Sequence, residues 1–60
     1  MPAYIVRVGN DYVRYALADR NLIILTKDKD EAGWYTERGA HIVMDMVRDL
    51  YPGREPEVTH

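Results

Sequence analysis

The segment from Thr36 to Tyr51 is the only part of this sequence that is long and periodic enough to form a full helix. With a period of 3.6 residues, its apolar side chains fall on one side and most of its charged side chains on the other, which is typical of a helix that covers a core. The apolar side holds Ala40, Val43, Met44, Val47, Leu50 and Tyr51. The sequence therefore predicts one amphipathic helix that must lie on another layer of structure.

The two ends of this helix carry start and stop signals. The Thr36 hydroxyl can accept a hydrogen bond from a free backbone amide, and Glu37 complements the positive end of the helix dipole. Pro52 disfavours a helical residue before it, and Gly53 follows where a left-handed residue is common. We therefore expect the helix to end close to Tyr51.

The residues before the helix have the composition of short β-strands. Residues 3–8 are rich in β-branched side chains, a turn signal follows at residues 9–11, and the strand pattern then resumes. If Asn10 and Asp11 are the central turn residues, one face of this hairpin should meet the helix. That face carries Tyr4, Val6, Val8, Val13, Tyr15 and Leu17, and the opposite face carries Ile5, Arg7, Tyr12, Arg14 and Ala16.

This hairpin register places Arg7 directly opposite Arg14. A like-charge pair in this position is destabilising. The conflict predicts either a different register or an acidic group between the two guanidinium groups.

Residues 22–26, LIILT, follow a turn signal at residues 19–21 and are predicted to form a third strand. Four apolar residues in a row are typical of a strand that is covered on both faces. A two-residue turn places Leu22 and Ile24 toward the helix and Ile23 and Leu25 away from it, whereas a three-residue turn exchanges the two pairs. Either way, one helix leaves an apolar stripe on the far face, which we interpret as a surface for a second subunit or a target protein.

The segment between the third strand and the helix has two short features. Asp28 and Glu31 have the spacing of a capping box, which predicts a single helical turn closed by Gly33. Trp34 and Tyr35 then form an extended piece that could pair with the first strand. The predicted fold is α+β, with a three- or four-stranded antiparallel β-sheet packed by one C-terminal α-helix.

We expect residues 1–52 to form this single domain and residues 53–60 to form a flexible C-terminal tail. A chain of 60 residues buries only about 60% of its unfolded surface, so its stability should be marginal without a partner. The chain has no cysteine, no signal-like start and no apolar run of about 18 residues. These features favour a cytoplasmic protein that does not insert into a membrane.

A calcium site is disfavoured by the spacing of its ligands. Asp28, Asp30 and Gly33 match the beginning of a calcium loop. Ala32 and Gly39 then stand where the loop requires ligands, so the pattern fails.

The sequence indicates other metal sites and enzymatic catalysis equally weakly. His41 and Asp45 share a helix face, but a metal needs three or four ligands, and an exposed ion pair is the better interpretation. The chain has no Ser or Cys nucleophile and no glycine-rich phosphate loop. We therefore expect a protein that is not an enzyme and has no cofactor or metal.

The apolar stripe and its neighbours are the candidate partner-binding residues. Ile42 and Met46 belong to this set because they extend the apolar arc of the helix beyond its main stripe. The full set is Ile5, Arg7, Tyr12, Arg14, Ile23, Leu25, Ile42 and Met46.

Three kinds of partner are considered for this surface. A host protein is favoured, and a homodimer with a purely structural role is a further alternative. Nucleic acid is the second alternative, because arginine and tyrosine side chains on one sheet face can neutralise phosphates and stack on bases. The net charge of −2 counts against nucleic acid.

The order of motifs resembles that of very small phage-encoded proteins. In these, a hairpin of the type YxVRVGNxYV precedes an xLTxDxxEAxxF segment and a C-terminal helix. The matching residues are Tyr4, Val6, Arg7, Val8, Gly9, Asn10, Tyr12, Val13, Leu25, Thr26, Asp28, Glu31 and Ala32, with Trp34 in place of the usual aromatic residue and Ala40 in the helix. The resemblance implies a non-enzymatic effector that binds and disables a protein complex in the host cytoplasm, with inhibition of a CRISPR effector complex as its most concrete form.

Overall fold

Residues 2–60 of the computed structural model form a four-stranded antiparallel sheet with one α-helix across one face. The strands are β1 (Ile5–Val8), β2 (Asp11–Leu17), β3 (Leu22–Thr26) and β4 (Pro56–Thr59), and the helix is α1 (Glu37–Leu50). Their order across the sheet is β3-β2-β1-β4, so β3 and β4 are the edges. The predicted α+β fold is confirmed. Met1, which the predicted domain included, lies outside the described residues.

Helix α1 has the boundaries that its sequence predicts. The Gly39 amide donates a hydrogen bond to Thr36 Oγ1 at 3.0 Å, which caps the first turn. At the other end, the Tyr51 amide donates to the Val47 carbonyl at 2.8 Å, and the chain then leaves the helix. Local capping chemistry therefore fixes both ends.

The buried side of α1 is rotated relative to the expected stripe. Ala40, Val43, Met46 and Val47 are buried, whereas Leu50 is exposed. Met46 was expected as a candidate partner contact, but it packs in the core with sheet residues, so it is not available to a partner. Most side chains of the wide apolar arc thus pack inside the domain.

The turn between β1 and β2 lies one residue earlier than predicted. Val8 pairs with Asp11, so the loop consists of Gly9 and Asn10. Gly9 has a φ of 62°, and a glycine with positive φ at the first loop position is typical of type II′ hairpin turns. This conformation disfavours other residues at that position.

The corrected register removes the charge conflict between the two arginines. Arg7 pairs with Tyr12 instead of Arg14. Because the register moves by two residues, the face of each side chain near the turn is unchanged. Val6, Val8 and Val13 accordingly lie in the core, as predicted.

A β-bulge in β2 reverses the predicted faces further along the strand. Val13 pairs with Leu25 and Tyr15 pairs with Ile24, so Arg14 is an extra residue in β2. Beyond it, Ala16 packs against the core, whereas the prediction placed Tyr15 and Leu17 there. That prediction was wrong because strict alternation does not hold across a bulge.

Strand β3 consequently faces the helix through Ile23 and Leu25, the pair that was predicted to contact a partner. Ile23 is 6% exposed and belongs to the core, and Leu25 packs against the core. The loop before β3 contains four residues, 18–21, and ends in Asn21. This residue has a φ of 50°, a left-handed conformation that asparagine tolerates better than most residues. Leu22 and Ile24 therefore point away from α1.

The C-terminal segment is a strand, so the predicted flexible tail is wrong. All four residues of β4 pair with β1, from Ile5 with Thr59 to Val8 with Pro56. The Arg7 guanidinium also donates a hydrogen bond to Glu57 Oε2 at 2.6 Å across β1 and β4. The altered register had already removed the conflict with Arg14, and Glu57 does not lie between the two arginines. The breakers at Gly53 and Pro56 hid a short β-branched segment whose pairing partner is distant in sequence.

The segment between β3 and α1 joins the end of the sheet where β1 and β2 separate. Residues Lys29–Glu31 form a 3₁₀ turn, in which the Asp28 carboxylate accepts a hydrogen bond from the Asp30 amide at 2.9 Å. The Gly33 amide then donates to the Val13 carbonyl at 3.0 Å, and Tyr35 pairs with Tyr4 in a single antiparallel bridge. The predicted pairing of this piece with the first strand is confirmed for Tyr35 only.

Gly33 is required by the space around it and not by its backbone conformation. A Cβ atom at this position would lie 2.6 Å from the Arg14 carbonyl oxygen and 2.9 Å from Tyr35 Oη. The first of these contacts is with the backbone of the bulge, which cannot move without disturbing β2. The segment and the bulge therefore fit together only with glycine at residue 33.

We predict that Gly33→Ala lowers the free energy of unfolding by about 1–3 kcal/mol, the usual range for overpacking. Urea denaturation followed by far-UV circular dichroism measures this change. The double variant Gly33→Ala with Tyr35→Phe should stay destabilised, because the contact with the Arg14 carbonyl remains. A Gly33→Ala variant as stable as the wild type would contradict the described packing.

Candidate protein interface

The face of the sheet opposite α1, here called the outer face, is closed over β1 and β4. Arg7 and Glu57 form an ion pair across this half. Ile5 is only 1% exposed although it does not belong to the core cluster under the helix. Because Tyr4 and Tyr35 form an antiparallel bridge, Trp34 and Ile5 are cross-strand neighbours. The low exposure of Ile5 shows that the chain itself buries this apolar residue.

The half of the outer face over β2 and β3 is open and apolar. Its paired residues are Tyr15 with Ile24 and Leu17 with Leu22, all directed away from the core by the bulge. Tyr15 is 46% exposed, and Trp34, at the border with the closed half, is 55% exposed. We call this surface the outer patch; it consists of Tyr15, Leu17, Leu22, Ile24 and Trp34.

The structure brings together few of the residues that were predicted to contact a partner. Arg7, Arg14 and Ile42 are exposed, Tyr12 and Leu25 are half-buried, and Ile5, Ile23 and Met46 are buried. Arg14 borders the outer patch, while Ile42 lies on α1, away from it. An exposed apolar stripe does lie on the far face, but Tyr15 and Leu17 were assigned to the other face. Leu22 and Ile24 were placed on that other face for a two-residue turn, and on the far face only for a three-residue turn.

The missed residues have one common cause. Each of them lies beyond Arg14 in β2 or pairs with a residue that does. The conflict between Arg7 and Arg14 was the only signal in the sequence against a regular alternation of inward and outward side chains along β2. That signal indicates an altered register, but it does not distinguish a shifted turn from a bulge.

The charged residues form a separate set of exposed pairs. Lys27 pairs with Asp11, and Arg48 pairs with both Asp45 and Glu55. The hydrogen bonds that the Arg48 guanidinium donates to Glu55, with the charges of Glu55 and Asp45, raise the pKa of Arg48 above its ordinary value. Solvent screens exposed pairs of this kind, so they contribute little to stability and do not organise a site.

Asp45 therefore bonds to Arg48 and not to His41, which had been the expected ion-pair partner. Across residues 2–60, no three His, Cys, Asp or Glu side chains are grouped so as to hold a metal ion. In the same part of the chain, no helix has the length and apolar character needed to cross a membrane.

A cleft lies between α1 and β4. This cleft has a volume of about 410 Å³ and is lined by Tyr4, Glu37, Ala40, His41, Met44 and Val58. The ring of His60 lies 4.8 Å from the ring of Tyr4 at one side. Glu37 and His41 are its acidic and basic lining residues.

The hydroxyl group of Tyr35 has an unusual environment. Its hydroxyl is buried and has no hydrogen-bond partner within residues 2–60. Burial raises the pKa of this phenol above the ordinary value of 10.0. The neutral form is therefore favoured in the folded protein.

We predict that Tyr35→Phe keeps or raises the stability of the domain at pH 7, by up to about 1 kcal/mol, because it removes a buried hydroxyl that lacks a partner. The raised pKa of Tyr35 also makes the stability of the wild type depend on pH. The contribution of the neutral phenol is present below pH 10 and is lost as the pH rises through the folded-state pKa, so the wild type should lose stability relative to Tyr35→Phe. Urea unfolding of both proteins at pH 7 and above pH 10 measures the difference. A marked loss of stability in Tyr35→Phe at pH 7 would show that the hydroxyl is hydrogen-bonded.

The function of this chain is argued from its own geometry, because comparison with known proteins gives no match. Neither a family model, nor a curated protein, nor a solved structure matches this chain. The outer patch is accordingly the feature from which a function is argued.

Proposed function

We propose that this protein acts by binding another protein through the outer patch. The observation that supports the proposal is that Tyr15, Leu17 and Leu22 are exposed on one face while the core lies on the other. Contiguous exposed apolar surfaces of this kind mark interaction sites in small soluble domains. Tyrosine and tryptophan are also the residues that most often anchor protein interfaces.

The outer patch has the form of an interface centre with a polar border. Tyr15 and Trp34 offer large rings, and the aliphatic pair Leu17 and Leu22 extends the apolar area along β2 and β3. Arg14, exposed in the bulge beside Tyr15, offers a charge that can pair with an acidic group at the rim. A partner with an apolar depression and an acidic edge would match this arrangement.

In its concrete form, the proposal is a small phage-type effector that occludes a working surface of a host protein complex. The resemblance in the hairpin and in the segment that follows it supports this form, with inhibition of a CRISPR effector complex as the specific version. The mechanism is steric: the effector covers a surface that the complex needs, and no covalent step is involved. Its potency then depends on how completely the outer patch is buried.

Binding of nucleic acid receives less support than binding of protein. The guanidinium of Arg7 is engaged by Glu57, and Tyr12 is half-buried, so two of the three residues that would form the platform are committed. A salt titration separates the two proposals, because phosphate contacts predict a steep loss of affinity as salt rises.

We predict that Tyr15→Lys weakens target binding by about tenfold or more, since it places a charge inside the outer patch. Ile42→Lys is the matched control. Tyr15 and Ile42 are 46% and 47% exposed, but Ile42 lies on α1 outside the outer patch. Affinity capture from bacterial lysate with mass spectrometry should give a discrete protein that is retained by the wild type and by Ile42→Lys and is lost with Tyr15→Lys. Equal loss with both variants, or loss with Ile42→Lys alone, would contradict the proposed surface.

The effector form has its own test. We expect expression of the protein in a bacterium with CRISPR immunity to raise the plating efficiency of a targeted phage. The Tyr15→Lys variant should lose this effect, and Ile42→Lys should retain it, with both variants folded by circular dichroism. Unchanged plating with the wild type in strains that carry different CRISPR effector complexes would refute this form while leaving the protein-binding proposal to the capture experiment.

A further inference from the structure

The two edges of the sheet differ in how well they resist pairing with another strand. β4 begins with Pro56, which has no N–H group, and carries the charged Glu57. Proline and charged residues are the usual means by which natural sheets protect an edge. β3 has five residues, Leu22–Thr26, and contains neither. Within the described chain, the outer side of β3 therefore offers backbone N–H and C=O groups that no other strand uses.

Helix α1 leaves this edge accessible. It packs mainly on β1 and β4, at the other side of the sheet. A strand that approaches β3 in the plane of the sheet can therefore pair with it without displacing the helix. The neighbouring segments at each end of β3 are short turns, which lie at the ends of the strand and not along its edge.

We propose that two copies of this chain associate by antiparallel pairing of their β3 strands about a two-fold axis. The strand is five residues long and its midpoint is Ile24, so full pairing places Ile24 on the axis. Leu22 of each copy then lies opposite Thr26 of the second copy. The sheet continues across the interface as eight strands, with both helices on the same side.

The charges flanking β3 agree with this arrangement. With Ile24 on the axis, the turn that carries Arg20 of one copy lies at the same end of the paired strands as Asp28 of the second copy. Opposite charges thus lie near each other at both ends, beyond the paired residues. A parallel arrangement would instead bring Arg20 against Arg20 and Lys27 against Lys27.

Association in this manner would enlarge the surface proposed for target binding. Leu22 and Ile24 lie on β3, directly beside the axis, and the two-fold axis is perpendicular to the sheet. The outer patches of both copies therefore join on one face into a single apolar surface with two-fold symmetry. The inference concerns the chain itself and does not depend on the identity of the target.

A single introduced cysteine tests both the interface and its register, because the natural chain has no cysteine. In Ile24→Cys, the two Cα atoms across the axis would be about 4.5–5.5 Å apart, within the range for a disulfide. In Leu22→Cys, the matched control on the same strand and face, four residue steps separate the two positions, or about 13 Å along the strand. Mild oxidation should convert Ile24→Cys to a covalent dimer at least about tenfold faster than Leu22→Cys.

The uncrosslinked protein provides the second measurement. Static light scattering of the wild type should show a molar mass that rises with concentration from 7.0 kDa toward twice that value. Equal crosslinking rates for the two variants would indicate parallel pairing or stacked faces and would overturn the proposal. A wild type that stays at the mass of one chain up to millimolar concentration would overturn it as well.

Discussion

The extra residue at Arg14 decides which side chains of this small sheet meet the helix. Before it, alternate residues of β2 follow the pattern that the hairpin begins, with Val13 in the core. After it, the pattern is shifted by one residue, so Ala16 takes the inward position and Tyr15 and Leu17 turn outward. Since β3 pairs with this part of β2, the same shift turns Leu22 and Ile24 outward. One local irregularity therefore sets both the composition of the core and that of the outer patch.

The bulge is also linked to the closure of the rest of the outer face. β1 and β2 pair only near their turn, and the segment that leads to α1 bonds to Val13 on one side and to Tyr4 on the other. This segment needs glycine at residue 33 because the bulge carbonyl lies so close. It also makes Trp34 the cross-strand neighbour of Ile5. The chain thus covers the apolar residue of β1 by itself and leaves only the β2 and β3 half open.

The sequence predicted the parts of the fold that depend on local signals. The caps of α1, the strand segments, the left-handed Asn21 and the turn closed near Gly33 all follow from residues close together in the chain. The errors concern features that depend on distant pairing. β4 exists because Glu57 and Val58 meet β1, about fifty residues earlier in the chain, whereas the Gly, Pro and charged residues of the segment 53–57 have the composition of a loop. The bulge likewise has no local marker, and Ile23 and Leu25 were therefore assigned to a partner surface although they form or contact the core. Met46 was assigned there for a different reason, the wide apolar arc of α1, and it is buried as well.

The central claim is that β2 turns Tyr15 and Leu17 away from α1 and Ala16 toward it. Solution NMR tests this directly through nuclear Overhauser contacts between side chains. The account predicts contacts from the Ala16 methyl group to core side chains such as Val13 and Val47, and contacts from Tyr15 to Ile24 with none to α1. Contacts from Tyr15 and Leu17 to the side chains of α1, with Ala16 on the other face, would contradict it.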